Sequence, residues 1–220
     1  MTKLYFIRHG KTEWNNEGRF QGAQGDSPLL PESYEQIAKL GKHLQDVEFK
    51  HAFVSPLRRA RLTAENTLQL VKKRPAMTLN SGLIEFRLGV WEGQTFVDVK
   101  NKQADQYEAW RNHPDQYDAT LVPGAETFEA VQKRFKYAVD EAVRAYGGDD
   151  VNLIFFAHGM LLTIGIETLL DTPLAQLRAR GGLSNTSTSI LETNDGEHYQ
   201  EILRNDTSYL GVIDDPSNTI

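Results

Sequence analysis

Two short stretches restrict what this chain can fold into more than anything else in it. Leu4-Tyr5-Phe6-Ile7 is an unbroken apolar run that stops at Arg8-His9-Gly10, and Val151-Asn152-Leu153-Ile154-Phe155-Phe156-Ala157 stops in the same way at His158-Gly159. Short apolar runs rich in β-branched and aromatic residues, closed by a glycine turn, are the pattern of strands buried on both faces. Such strands belong to the interior of a sheet covered by helices, and in an open α/β sheet ligands bind beyond the carboxyl ends of the strands. The chain has six histidines. Two of them arrive in His-Gly pairs at strand ends, which makes His9 and His158 candidate site residues, with Arg8 beside them.

The segments between these strands agree with that architecture. Gly18-Arg19-Phe20-Gln21-Gly22-Ala23-Gln24-Gly25-Asp26 is a run of turn formers and reads as a loop. Ile37, Leu40, Leu44 and Val47 keep a helical period over 34–47. Ala52-Phe53-Val54 is a short strand; Ser55 and Pro56 then read as the N-cap and first residue of a helix that continues through Ala60, Thr63, Ala64, Thr67, Leu68 and Val71. Met77-Thr78-Leu79-Asn80 is a weaker strand. Residues 95–122 carry Phe96, Tyr107, Trp110 and Tyr117 among polar side chains, consistent with one or two short helices over the top of the sheet, as a pocket wall or as plain core packing. A helix with Phe128, Val131, Phe135, Val139 and Ala142 on one face follows, and another starts at Met160. Alternation over 187–192 and 198–203 around Asp195-Gly196 signals a hairpin, and the tail from Asp214 reads as frayed. The expected fold is α/β: a three-layer α/β/α domain whose central sheet is mostly parallel with an antiparallel edge strand. No linker divides the chain, so 1–220 is expected to be one domain, with 94–123 as a lid or pocket-wall insertion.

Composition removes several classes of function. A net charge of −6 argues against a nucleic-acid or anionic-membrane partner, and the absence of cysteine excludes disulfides and thiol chemistry. No apolar run approaches the roughly 20 residues that span a bilayer, and the first residues do not read as a signal peptide, so a cytoplasmic protein is expected. A homo-oligomer is compatible with all of this. Small phosphorylated ligands also remain compatible, because local arginines decide those. Arg8, Arg58, Arg59 and Arg61 gather near the start of the second helix, where the helix dipole disfavours cations, and an anion held between them would account for the cluster. Neutral imidazole is a competent nucleophile toward phosphorus, guanidinium forks hold phosphoryl oxygens, and a carboxylic acid protonates a leaving alkoxide.

Four motifs, in order, carry a resemblance that the residue types alone do not. Arg8-His9-Gly10-x-Thr12 with Trp14-Asn15, Ser55-Pro56-Leu57-x-Arg59-Ala60, Glu85 ahead of Gly89-x-Trp91-Glu92-Gly93, and Ala157-His158-Gly159 resemble the signature of the histidine phosphatase superfamily, in its phosphoglycerate mutase-like branch. The resemblance implies that His9 becomes phosphohistidine and that Arg8, Arg59 and His158 grip the phosphoryl group. It implies Asn15 as a further phosphate contact and Gln21, Gly22 and Gly159 as the pocket border. Glu85 would be acid and then base, with Glu92 as its rival. No metal and no cofactor is implied. A small phosphate ester is the expected substrate, hydrolysed because Phe86-Arg87-Leu88 stands where mutases carry a tyrosine and no long shielding insertion follows Gly93. Phosphoglycerate mutase-type transfer and a non-catalytic phospho-ligand-binding module are the alternatives. Arg58 and Arg61 are expected at the surface, as are His43, His51, His113 and His198.

Overall fold

The computed structural model describes residues 1–211. The expected frayed tail beyond Asp214 lies outside the described residues. Among the described residues six strands form one sheet: β1 (Thr2–Arg8), β2 (His51–Val54), β3 (Met77–Leu79), β4 (Val151–Ala157), β5 (Thr188–Thr193) and β6 (Gln200–Asp206). Their order is β3-β2-β4-β1-β5-β6. The first four are parallel, β5 runs antiparallel to β1, and β6 antiparallel to β5. This is the mostly parallel sheet with an antiparallel edge that the apolar runs and the hairpin signal imply.

Strands β1, β2 and β4 sort their side chains by the period of two that a pleated strand imposes. Leu4 and Phe6 of β1, Phe53 of β2, and Leu153, Phe155 and Ala157 of β4 enter one core; Ile7, Ala52, Val54, Ile154 and Phe156 enter the other. A one-turn helix, α1 (Glu13–Asn16), follows β1, and the second, smaller core is closed by Leu40 and Leu44 at the end of helix α2 (Pro31–His43) and by Ala64 and Leu68 of α3 (Arg58–Leu68). The larger core is closed by Phe128, Val131, Phe135 and Val139 of α6 (Phe128–Tyr146) and by α7 (Gly159–Leu169), of which ten residues are buried. Gly165 permits that contact, because a Cβ there would meet the Phe135 ring at 2.4 Å. Three layers follow directly from two apolar faces that both need covering.

Helix boundaries depart from the periodicity in two places. Pro31, preset for the first helical position, starts α2 three residues before the expected Tyr34, and the helix ends at His43; Leu44 is its C-cap. α3 begins at Arg58, with Leu57 as an N-cap that offers no side-chain bond. Pro56 and Leu57 form a bend ahead of it, so Ser55 is not the cap. Asp26, from the distant glycine-rich loop, fills that role, accepting from Arg58 N at 2.9 Å and Arg59 N at 3.4 Å. A carboxylate from elsewhere in the chain is favoured at a helix N-terminus for the same dipolar reason as a local cap.

Residues 95–122 form α4 (Phe96–Lys102), α5 (Ala104–Asn112) and two 3₁₀ turns. Their apolar side chains Val99, Tyr107, Trp110 and Val122 are buried in the larger core, against Phe20, Phe86 and Trp91. His51 corrects the expectation of a surface histidine. It is buried on β2, stacked on Tyr146 at 4.2 Å and hydrogen-bonded to Thr78. His43, His113, His198, Arg58 and Arg61 are exposed as expected.

Candidate active site

Register brings the site together. Arg8 lies opposite Ala157, and Val54 opposite Phe156. The next residues of three strands therefore emerge side by side: His9 N donates to Ala157 O at 3.0 Å and Ser55 N to Phe156 O at 2.9 Å. The antiparallel β5 reaches the same edge with its amino end. Thr186 N donates to the carbonyls of Arg8 and His9 at 3.1 and 3.2 Å, and the Asn185 side chain donates to His9 O at 3.1 Å.

His9 and His158 are buried, with ring centroids 5.2 Å apart and planes at 59°. His9 Nδ1 lies 2.7 Å from the Gly10 carbonyl. A carbonyl only accepts, so Nδ1 carries the proton and Nε2 keeps its lone pair. Arg59 Nε donates to that Nε2 at 3.3 Å. Burial, then the positive charges of Arg59 and Arg8, hold the His9 pKa well below the ordinary histidine value. His9 is therefore a neutral imidazole at pH 7 with its free nitrogen beside a guanidinium. His158 is held neutral in the same way, by burial first and by Arg59 next. Its Nε2 lies 2.7 Å from Ser55 Oγ, while its buried Nδ1 has no hydrogen-bond partner among the described residues.

Both arginines are fully enclosed, at 1% exposure. Arg59 is locked by carbonyls of the glycine-rich loop, donating through Nη1 to Gly25 O at 2.7 Å and through Nη2 to Gly22 O at 3.0 Å, and it pairs with Asp26. Arg8 donates to the carbonyl of Leu183, and burial lowers its pKa to about 10, which leaves it charged. Its guanidinium lies flat against Gly159, where a Cβ would stand 2.9 Å from Arg8 Nε. Gly159 is thus the residue that admits Arg8, which explains why a glycine follows His158.

Glu85 reaches the site from the turn before Phe86. Its Oε1 accepts from Phe86 N and Leu161 N, each at 2.8 Å, and its Oε2 from Met160 N at 3.1 Å. The carboxyl sits at the amino end of α7, which favours its ionised form. Burial opposes this and prevails, raising the Glu85 pKa. Glu92, the rival, is elsewhere employed: Oε2 accepts from Gln24 N and Gly25 N at 2.8 and 2.7 Å, pinning the loop that holds Arg59.

The remaining sequence-derived residues divide. Asn15 is buried, its Oδ1 accepting from Thr12 N at 3.1 Å, and Asn185 Nδ2 approaches the same oxygen at 3.4 Å. Gln21 has its side chain committed to Thr12 Oγ1 at 2.7 Å and Ser27 Oγ at 3.0 Å, so it supports the loop from within. Gly22 acts through its carbonyl on Arg59. Ser55, Asn185 and Thr186 escaped sequence reasoning. Ser55 stands in its motif where local rules read it as a helix cap, and the turn closed from Ser187 N to Ser184 O has no apolar period to mark it. Among the described residues no group of three or more His, Cys, Asp or Glu side chains is placed to hold a metal ion, and no helix is long and apolar enough to cross a membrane.

A mostly parallel sheet presenting two neutral histidines, two buried arginines and a carboxyl with a raised pKa at one edge defines a class of phosphoryl-handling proteins, and the sequence comparison places the chain within it. The profile of the histidine phosphatase superfamily (branch 1) matches residues 4–206, and the chain belongs to that family. Among its relatives, a probable phosphoglycerate mutase, GpmB, of Salmonella choleraesuis is 29% identical over 199 residues, covering 90% of this chain and 87% of that protein. The fructose-2,6-bisphosphatase TIGAR B of Danio rerio is 36% identical over 135 residues, which is 60% of this chain and half of the relative. Among solved structures, Bacillus stearothermophilus YhfR superposes with a TM-score of 0.86 at 30% identity, over 96% of this chain and all of the other. A mycobacterial glucosyl-3-phosphoglycerate phosphatase superposes with a TM-score of 0.81 at 28% identity, over 92% and 98%.

Proposed function

We propose that this protein is a metal-independent phosphomonoesterase that acts on a small phosphorylated metabolite through a phosphohistidine on His9. The observation that carries the reading is the tautomer of His9: Nδ1–H is held by the Gly10 carbonyl, and the lone pair of Nε2 faces Arg59 Nε 3.3 Å away. An oxygen of the substrate's phosphoryl group would take over that guanidinium contact, leaving Nε2 to attack phosphorus.

In the first step the Nε2 lone pair forms the P–N bond and the ester P–O bond breaks. Arg8 and Arg59 neutralise the equatorial oxygens, and His158, through the Nδ1 that has no protein partner among the described residues, adds a donor. The departing alkoxide takes its proton from Glu85. Oε2 is the oxygen suited to hold that proton, since it accepts one backbone bond where Oε1 accepts two. A bound phosphate dianion raises the pKa of Glu85 further by like-charge repulsion. In the second step the Glu85 carboxylate takes a proton from water, the hydroxyl oxygen attacks phosphorus, and the P–N bond breaks to release inorganic phosphate and neutral His9.

The mutase-type alternative shares the first step and differs in which acceptor attacks the second time. The TIGAR B, glucosyl-3-phosphoglycerate phosphatase and GpmB names support one or the other outcome. Release of phosphate from an aryl phosphate with chelator present, by the wild type and by His9→Ala, tests the reading. Turnover by the wild type alone is expected. Turnover that survives the substitution removes His9 from the mechanism, and none by either protein favours a binding module.

A further inference from the structure

The main chain that carries His9 is braced by a part of the sequence far from it. His9 O accepts from Thr186 N at 3.2 Å and from Asn185 Nδ2 at 3.1 Å, Arg8 O accepts from Thr186 N at 3.1 Å, and Arg8 N donates to Ser187 O at 3.3 Å. The His9 ring is tied to the same main chain, since Nδ1 is bonded to the Gly10 carbonyl. Where residues 185–187 sit therefore decides where Nε2 points.

This turn is strained at one residue. Among the described residues four non-glycine residues have positive φ, and three of them, Asp150, Asp171 and Asn205, are of the types that tolerate it. The fourth is Thr186, at φ +58°, and a β-branched side chain is poorly suited to the left-handed region. Its buried hydroxyl has no hydrogen-bond partner among the described residues, so no side-chain bond offsets the strain. A backbone of this kind persists where its surroundings over-determine it.

The surroundings that do so come from the end of the described chain. Asn205 Oδ1, on β6, accepts from Ser184 N at 2.6 Å, and Tyr209 Oη donates to Thr186 O at 2.5 Å. A carbonyl only accepts, so the phenol proton is committed there, and Thr188 Oγ1, 3.0 Å away, donates to the phenol oxygen. Tyr209 is itself seated on α2. Its ring stacks on His43 at 4.6 Å and 23°, and the carbonyl of Leu210 accepts from Lys39 Nζ at 3.0 Å. Burial raises the Tyr209 pKa, which keeps the hydroxyl protonated.

We propose that Tyr209 is a positioning residue for the nucleophile: its hydroxyl holds Thr186 in the left-handed conformation, and the Thr186 N–H in turn holds the His9 carbonyl and so the aim of Nε2. This rests on the proposed phosphohistidine reading and deepens it. The phenol acts through two hydrogen bonds in series rather than on the substrate. Attack needs the reacting atoms aligned and about 3–3.5 Å apart, so a small shift of the His9 main chain slows the attack. Arg59, held by Gly22 and Gly25 in a separate loop, keeps its grip on the phosphoryl group.

Tyr209→Phe keeps the ring on His43 and removes only the hydroxyl. The single-turnover rate of p-nitrophenol release from p-nitrophenyl phosphate is expected to fall roughly 3- to 10-fold, the worth of one hydrogen bond, while inhibition by inorganic phosphate stays within about twofold. A loss confined to thermal stability, or to phosphate affinity, overturns the assignment. Glycine takes φ +58° without strain, so in a Thr186→Gly background the same removal is expected to cost less than about twofold; equal losses in both backgrounds overturn the route through Thr186. Should Tyr209→Phe fail to fold alone, the double variant, relieved of strain, is expected to fold, and release more than about twofold slower than in Thr186→Gly overturns the inference. Hydrogen exchange of the Thr186 amide in the unliganded protein reads the brace without chemistry, and Tyr209→Phe is expected to speed it by roughly the same 3- to 10-fold. Unchanged exchange overturns the inference and leaves the hydrolytic reading intact. Faster exchange in a protein whose wild type never takes up phosphate on His9 sinks the hydrolytic reading and upholds the hold of Tyr209 on the His9 main chain.

Discussion

Ser55→Ala isolates a residue that acts through another. Ser55 and His158 are both at 0% exposure, and among the described residues the 2.7 Å contact between Oγ and Nε2 is the imidazole's hydrogen bond to protein. Removing the hydroxyl leaves a polar nitrogen buried without a partner, which costs about 1–3 kcal/mol. The same bond sets the ring's orientation, and with Ser55 Oγ–H donating to Nε2 it places the proton on Nδ1, the nitrogen that would face the phosphoryl group. If the whole of that energy is lost in the transition state, kcat falls roughly 5- to 150-fold. Denaturant unfolding reads the stability loss and aryl phosphate turnover reads the rate. A double-mutant cycle with His158→Ala decides the cause. Ser55→Ala is expected to cost little further activity in the His158→Ala background; an equal loss in both backgrounds would show that Ser55 does not act through His158.

Glu85→Gln is expected to lower kcat about 10²- to 10⁴-fold for alkyl phosphates and far less for p-nitrophenyl phosphate, whose leaving group needs no proton. Because burial raises the Glu85 pKa, the wild-type rate on alkyl esters should decline as pH rises through that value, and this alkaline limb should vanish in the variant; a limb that persists would assign it to another group. Stability should show the opposite sign for the histidines. Their folded pKa values are depressed, so the stability they contribute is complete above the unfolded value of about 6.5 and is lost as pH falls below it, with a slope approaching about 1.4 kcal/mol per pH unit for each. Unfolding free energies between pH 7 and 5 should flatten by close to one proton in His158→Asn, and an unchanged slope would mean that His158 is not held neutral.

The architecture was legible because its decisive information is local. The runs ending at His9 and His158 are apolar on both faces, and that property alone places β1 and β4 at the centre of a covered sheet, with Arg8 and both histidines at its carboxyl edge. The motif order carried Arg59 and Glu85. What stayed hidden depends on partners distant in sequence. Ser55-Pro56 is a sound helix start by local rules, yet the hydroxyl is taken by His158 and Asp26 caps α3 from 32 residues away. Gln21 resembles a ligand contact but is consumed by Thr12 and Ser27. His51 lacks any motif and is buried only because β2 stacks it on Tyr146.

The central claim is that the free nitrogen of His9 takes up phosphorus. Brief incubation with a ³²P-labelled ester, quenching at alkaline pH and peptide mapping tests it directly. The account predicts an acid-labile, alkali-stable label on the peptide carrying His9, present in the wild type, absent in His9→Ala and longer-lived when Glu85→Gln slows the attack of water. Label on another residue, or turnover with no label under conditions that trap a phosphohistidine, would contradict it.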